Sequence, residues 1–197
     1  MKVSVLTKSY FNGYFRIVLL INSRENHRMT QAESTHELAT RYSALVDYQP
    51  PPLSELETLF DYVYERYLET ELQPIDACKG VSKEPREIAF ELVHLSRFIS
   101  TEEALGELKR LGFRPALHEE AIAVAPHLAK QHAATMSPQC AISVKTYPIA
   151  VLGSTHVQRH RVCSLYLYWT KDDEWTLCDY PIDTGWVSTV RFLVVRE

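Results

Sequence analysis

Val187-Ser188-Thr189-Val190-Arg191-Phe192-Leu193-Val194-Val195-Arg196 is the cleanest strand signal in the chain. β-Branched and aromatic residues fill it, and no proline or glycine interrupts it. Working back from it, the spacing predicts a hairpin-rich β region. Val162 to Trp169 alternates, with Cys163, Leu165, Leu167 and Trp169 on one side and Val162, Ser164, Tyr166 and Tyr168 on the other. Lys171-Asp172-Asp173 reads as a turn, Trp175 to Cys178 as a short strand, and Asp183-Thr184-Gly185 as a second turn. Upstream again, Ala141 to Val144 and Pro148 to Leu152 read as strands, the latter ending at Gly153-Ser154.

The rest of the chain reads as more helical. Residues 1–22 suggest two strands around Asn12-Gly13, a dipeptide that favours a type I′ turn; the lesser alternative, from the polar stretch before Met29, is an over-called start or a loosely attached arm over residues 1–28. Leu38, Tyr42, Leu45 and Val46 predict a helix over Gln31–Val46, stopped by Pro50-Pro51-Pro52. Ser54 with Glu57 forms a capping-box pattern, and Leu56, Leu59, Phe60, Val63, Tyr67 and Leu68 predict a helix over Ser54–Leu72 with an acidic outer face. Gly80 and Pro85 mark a boundary near residue 85. Leu92 to Ile99 is expected to be a strand. Ser100 with Glu103 predicts a capped helix, with Gly112 as its left-handed stop. Another helix is expected from Ala116 to Ala125, ended or kinked by Pro126.

Composition bounds the function. The chain is 46% hydrophobic and 23% charged, enough to build a sizeable core. A net charge of −4 argues against a broad nucleic-acid-binding face. Cys78, Cys140, Cys163 and Cys178 form no C-x-x-C pair and read as reduced thiols, with a Cys163–Cys178 pairing left open. The longest apolar run, Ile17 to Ile21, is far below the roughly 20 residues a membrane span needs. It is too short and too poorly flanked for a signal peptide, so a cytoplasmic location is expected, with no membrane partner and no nucleic acid.

Few residues suggest chemistry. His156, His160 and Cys163 have ligand-like spacing, and a small metal-dependent enzyme is the alternative they support. The bland reading is a loop with two surface histidines and a buried thiol. Glu102-Glu103 and Glu119-Glu120 sit where carboxylates complement a helix dipole. Ser154 lacks the G-x-S-x-G context of a nucleophile elbow. No catalytic residue, metal site or cofactor is therefore assigned. What remains is the aromatic cluster Tyr166, Tyr168, Trp169, Trp175, Tyr180 and Trp186, interleaved with Asp179 and Asp183. It reads as core, as a ligand-binding surface, or as some of each.

Three segments carry a resemblance. Gly112-Phe113-Arg114-Pro115-Ala116-x-x-Glu119-Glu120, Pro148-Ile149-Ala150-Val151-Leu152-Gly153-Ser154 and Val190-Arg191-Phe192-Leu193-Val194-Val195-Arg196 occur in that order. Together they are similar to an uncharacterised bacterial family of reduced-genome candidate phyla, with the pattern R-P-A-x-x-E-E, P-I-V-A-L-G-S and R-F-L-A-V-R. The first and last also resemble C-type-lectin-like domains of the formylglycine-generating-enzyme and variable-protein kind. The resemblance spans about residues 88–197. It implies an α+β C-type-lectin-like module over 86–197, with two helices and twisted antiparallel strands, after a mainly helical region over 1–85 containing a hairpin and two helices. It also implies binding of a protein or small ligand through aromatic residues, as in diversified variable proteins. The calcium-lectin signatures and the oxidase cysteine arrangement are absent. The N-terminal helices are expected to offer a homo-oligomer contact; a further alternative is that the chain is a structural subunit whose acidic helix Ser54–Leu72 packs on a partner.

Overall fold

The computed structural model describes residues 36–49, 53–63, 71–135, 147–170 and 174–197, and in it the closing strand runs through the middle of a nine-stranded mixed sheet. The strands are β1 His36–Val46, β2 Tyr62–Val63, β3 Gln73–Pro74, β4 Arg86–Leu95, β5 Phe113–Pro115, β6 Ile149–Gln158, β7 Arg161–Trp169, β8 Trp175–Pro181 and β9 Arg191–Arg196. The helices are α1 Leu53–Leu59, α2 Thr101–Arg110 and α3 His118–Thr135. Strand order is β1-β4-β9-β6-β7-β8-β2, with β3 added to β6 and β5 added to β9. The β6–β9 and β2–β8 pairs are parallel and the others antiparallel.

A strand covered on both faces reads as a continuous apolar run rather than an alternating one. Phe192 to Val195 fit this: Leu193 and Val195 enter one core, Phe192 and Val194 the other. In β6, Ile149 and Val151 divide from Ala150 and Leu152 in the same way. The first core packs α1 and α3 on the sheet through Leu56, Phe60, Ala121, Val124, Ala125 and Leu128. The second packs α2 through Ala104 and Leu108 against Val93, Leu95, Phe113 and Phe192. The Ser100 capping box forms as read, and Gly112 takes φ 79° just past the end of α2.

The middle of the sheet is held by the turn from β5 into α3. Ala116 donates to the Leu193 carbonyl (2.9 Å) and accepts from the Gly153 amide (2.9 Å), which joins β9 to β6. Arg114 then forms a bidentate pair with Glu120 at 2.8 and 2.6 Å. Glu120 also accepts from the Leu117 amide (2.7 Å) and the Tyr48 hydroxyl (2.8 Å), which ties α3 to the segment after β1. The Glu120 side chain is fully buried and that of Arg114 nearly so. Burial lowers the Arg114 pKa, but Glu120's hydrogen bonds and charge more than offset this, so it ends above its ordinary value. The Tyr48 hydroxyl is pushed up to about 12, first by burial and then by Glu120, so it stays a donor. Such a pair specifies geometry more than it stabilises, but removing one partner strands a buried charge, at roughly 3–5 kcal/mol.

This arrangement corrects the expected architecture. Among the described residues strands outweigh helices, and they join in one mixed sheet rather than in a mainly helical 1–85 region followed by a C-type-lectin-like module of antiparallel strands over 86–197. Residues 36–46, expected to be helical, form β1 and pair with β4 from His36↔Leu95 to Val46↔Arg86. Tyr42 and Val46 satisfy both a helical and a two-residue period. Ala44 buried and Leu45 72% exposed decide for the strand. The described residues belong to one compact unit, Ser34–Glu197. Among the described residues the expected Ser54–Leu72 helix is present as α1, which includes Ser54 rather than being capped by it, and β2 follows within three residues. Strand β4 starts and ends earlier than the Leu92–Ile99 expectation. Helix α3 continues through Pro126 because its apolar face stays in the first core on both sides of the proline. The expected hairpin in residues 1–22, Cys140, the strand at 141–144, the turn at 171–173 and positions 64–70 lie outside the described residues.

Gly153 marks where β6 and the β5–α3 turn approach most closely. A Cβ there would sit 2.3 Å from the Ala116 carbonyl oxygen, whereas one at Gly106 in α2 would meet nothing within 4 Å. Gly153→Ala is therefore expected to cost about 3 kcal/mol or more, and Gly106→Ala to stabilise by about 0.5–1 kcal/mol. Urea unfolding of the two variants checks this pair of opposite signs.

Candidate recognition face

Side-chain period sorts the C-terminal aromatics. In β7, Leu165 and Leu167 point into the α3-side core, so Tyr166 and Tyr168 lie on the other face. Register then places Cys178 beside Tyr166, Tyr180 beside Ser164, and Thr176 between Tyr168 and Tyr62. Tyr166 stacks on Tyr180 (5.0 Å between ring centroids) and tilts against Tyr168 (5.9 Å). Trp186 lies beneath them, 4.8 Å from Tyr180 and 6.2 Å from Tyr166. Its Nε1 donates to the Thr101 hydroxyl (2.9 Å), which in turn donates to the Ile182 carbonyl (2.6 Å).

The aromatic band continues past Tyr180. The Tyr180 hydroxyl donates to the Gly185 carbonyl (3.4 Å), and Phe98 packs against Gly185 so closely that a Cβ would lie 2.6 Å from its ring. Phe98 is 64% exposed and Tyr62 51% exposed, at the two ends of the band; Tyr166, Tyr168 and Tyr180 between them are partly exposed. Burial raises the Tyr166 and Tyr168 hydroxyls and pushes the Cys178 thiol up to about 12.

The remaining aromatics turn the other way. Trp169 stacks on Trp175 (4.6 Å), and Trp175 stacks on Phe60 (5.7 Å) in the first core. Asp61 closes that contact by accepting from the Trp175 amide (2.7 Å). Of the eight residues singled out as ligand-binding, Tyr166, Tyr168 and Tyr180 share one accessible face with Trp186 buried under it. Trp169, Trp175 and Asp179 are on the opposite face. Asp183 sits in the exposed turn Ile182–Thr184 and pairs with Arg161. Tyr62 and Phe98 were missed. Their neighbours in sequence predict a helix for one and a buried strand for the other, and only tertiary pairing shows their position.

The histidine and cysteine candidates do not assemble into a metal centre. Among the described residues no group of three or more His, Cys, Asp and Glu side chains is placed to hold an ion. His156 faces Cys163 across the β6–β7 pair, while His160 sits in the hairpin turn with φ 66°. His156 Nε2 lies 3.0 Å from Asp179 Oδ1 without hydrogen-bond alignment, and Gln158 donates to Asp179 Oδ2 (2.8 Å). Cys163 and Cys178 lie on opposite faces of the sheet and are free thiols. Ser154 accepts from the His118 amide (3.3 Å), which gives it a capping part at the start of α3. A cleft of about 320 Å³ beside α2 is lined by Lys109, Phe113 and Arg114, but the Arg114 guanidinium is already committed to Glu120. Compared with known proteins, the chain matches no family model, no curated protein and no solved structure.

Two outcomes follow. Trp175→Ala and Trp186→Ala each empty a buried ring site and are expected to cost about 3–5 kcal/mol, whereas Tyr62→Ala is expected to stay within about 0.5 kcal/mol of the parent; denaturant titration separates the two classes. His118 is buried, and burial, helped by His156 and opposed by Glu119, holds its pKa at about 4 against 6.5. The unfolded chain therefore takes up a proton between pH 6.5 and 4 that the native state refuses. Stability contributed by this site falls as pH drops through that window, by about 3 kcal/mol in all. His118→Gln removes that slope in unfolding measured across the window.

Proposed function

We propose that the chain is a non-catalytic binding module that takes a protein partner on the band from Phe98 through Tyr180, Tyr166 and Tyr168 to Tyr62. One observation carries the reading: a continuous row of partly exposed tyrosines lies on one face of the β7–β8 sheet, packed against a buried tryptophan. Interface centres are enriched in tyrosine and arginine and depleted in lysine and carboxylates. Tyrosine supplies a large rigid contact area with a polar tip at low entropic cost. The exposed Val157 and Val162 extend the same face, giving an apolar surface of the kind that marks interaction sites. The resemblance's implication of recognition through surface aromatics agrees with this proposal, on a different fold. No described helix is long and apolar enough to cross a membrane.

Site-specific photo-crosslinking in the native host tests the proposal. A benzophenone side chain at position 62, 98 or 168 is expected to join the same protein, giving one adduct of discrete mass. Leu45 is also exposed but lies on edge strand β1, and the same group there is expected to give no such adduct. An adduct from position 45 alone, or none from the tyrosine band, contradicts the proposal.

A further inference from the structure

The β6–β7 hairpin at one end of this face is built against its own backbone preference. Its two-residue turn is Arg159-His160, at φ 46° and 66°. A turn with both central residues in the left-handed region is usually made of Asn and Gly, because larger side chains are strained there. These are the only non-glycine residues with positive φ among the described residues. Neither side chain gains a polar partner in return: the Arg159 and His160 side chains are exposed and form no hydrogen bond or ion pair with another described residue. Arg161, at the base of the turn, is engaged with Asp183. Behind the tip, Val157 and Val162 face each other across the hairpin, 68% and 43% exposed, on the same face as Tyr166 and Tyr168. Strain kept with no internal compensation points outward, to a function at the tip.

We infer that this hairpin is the charged anchor of the tyrosine face, and that the partner presents to it a segment combining carboxylates with aliphatic side chains. The inference rests on the binding reading above and adds the partner's chemistry. Charge complementarity supports it. The chain carries a net −4, so an acidic partner is repelled by the molecule as a whole and attracted only where basic groups project. Arg159 and His160 project at the hairpin tip, next to the aromatic surface. The aliphatic part of the segment covers Val157 and Val162, and its carboxylates meet the Arg159 guanidinium and the His160 ring.

Selection of a random peptide display library on the immobilised full chain tests this. Enriched peptides are expected to combine Asp or Glu with Leu, Ile or Val, and to lose affinity at high salt. Their binding is expected to fall by about tenfold or more on the Arg159→Glu/His160→Glu variant. The Arg159→Asn/His160→Gly variant, whose turn suits its residues better, is expected to melt at or above the parent temperature and still bind poorly, which separates recognition from folding. Peptides with no acidic bias that ignore both hairpin variants but are lost on Tyr168→Ala overturn the inference and leave the tyrosine-face proposal standing. Peptides indifferent to the hairpin and to Tyr168 alike, or no enrichment at all, overturn both.

Discussion

The fold depends on a single buried carboxylate. Glu120 neutralises Arg114, caps the first turn of α3 through the Leu117 amide and holds the Tyr48 hydroxyl. Through those bonds it fixes α3, the β5 turn and the segment after β1 relative to one another. Ala116, inside the same turn, bonds to both β9 and β6, so the helix start and the sheet centre are set together. A buried ion pair is a poor source of net stability, because desolvation cancels most of the Coulomb gain. What it supplies here is a unique arrangement: any register in which Arg114 and Glu120 fail to meet leaves two charges stranded in a dry interior. Gly153 is the complement of this constraint, since its missing side chain is what lets β6 approach the turn.

From that junction the two halves of the sheet take different roles. On the β4–β9–β5 half both faces are covered, by α3 on one side and α2 on the other. On the β7–β8 half the α3 face is closed by the Trp169–Trp175–Phe60 stack, and the opposite face carries the tyrosines. Trp186 belongs to both halves. It packs edge-on against Phe192 of β9 (5.9 Å) and supports Tyr166 and Tyr180 from below. The tyrosine face of β7 and β8 is thus tied through Trp186 to the central strand β9, a rigid mounting that suits the binding role proposed for it.

Much of the β region was legible in the sequence, because alternation over Val162–Trp169 assigns faces without tertiary information, and those faces are the ones observed. Other parts were not. Tyr42 and Val46 lie four apart, a spacing that a helix and a strand both satisfy, so β1 read as a helix. Glu119 and Glu120 looked alike as helix-start carboxylates; Glu119 pairs with exposed Lys83, while Glu120 is buried, a difference made by the β5 turn bringing Arg114 back over the helix. The aromatics read as core, surface or a mixture, and the sheet divides them strand by strand. The two-residue hairpin at Arg159-His160 lacked the Asn-Gly that announces such turns, so its strain was visible only in the backbone angles.

The Arg114–Glu120 junction is expected to be the last part of the structure to open, because Glu120 and Ala116 tie α3, β5, β6 and β9 together there. Native-state hydrogen exchange resolves this residue by residue. The Ala116, Leu117 and Gly153 amides are expected to exchange only through global unfolding, with the same opening free energy as the amides at the centre of β9. Exchange of these three by local opening at distinctly lower free energy, with β7 and β8 still protected, would contradict the account.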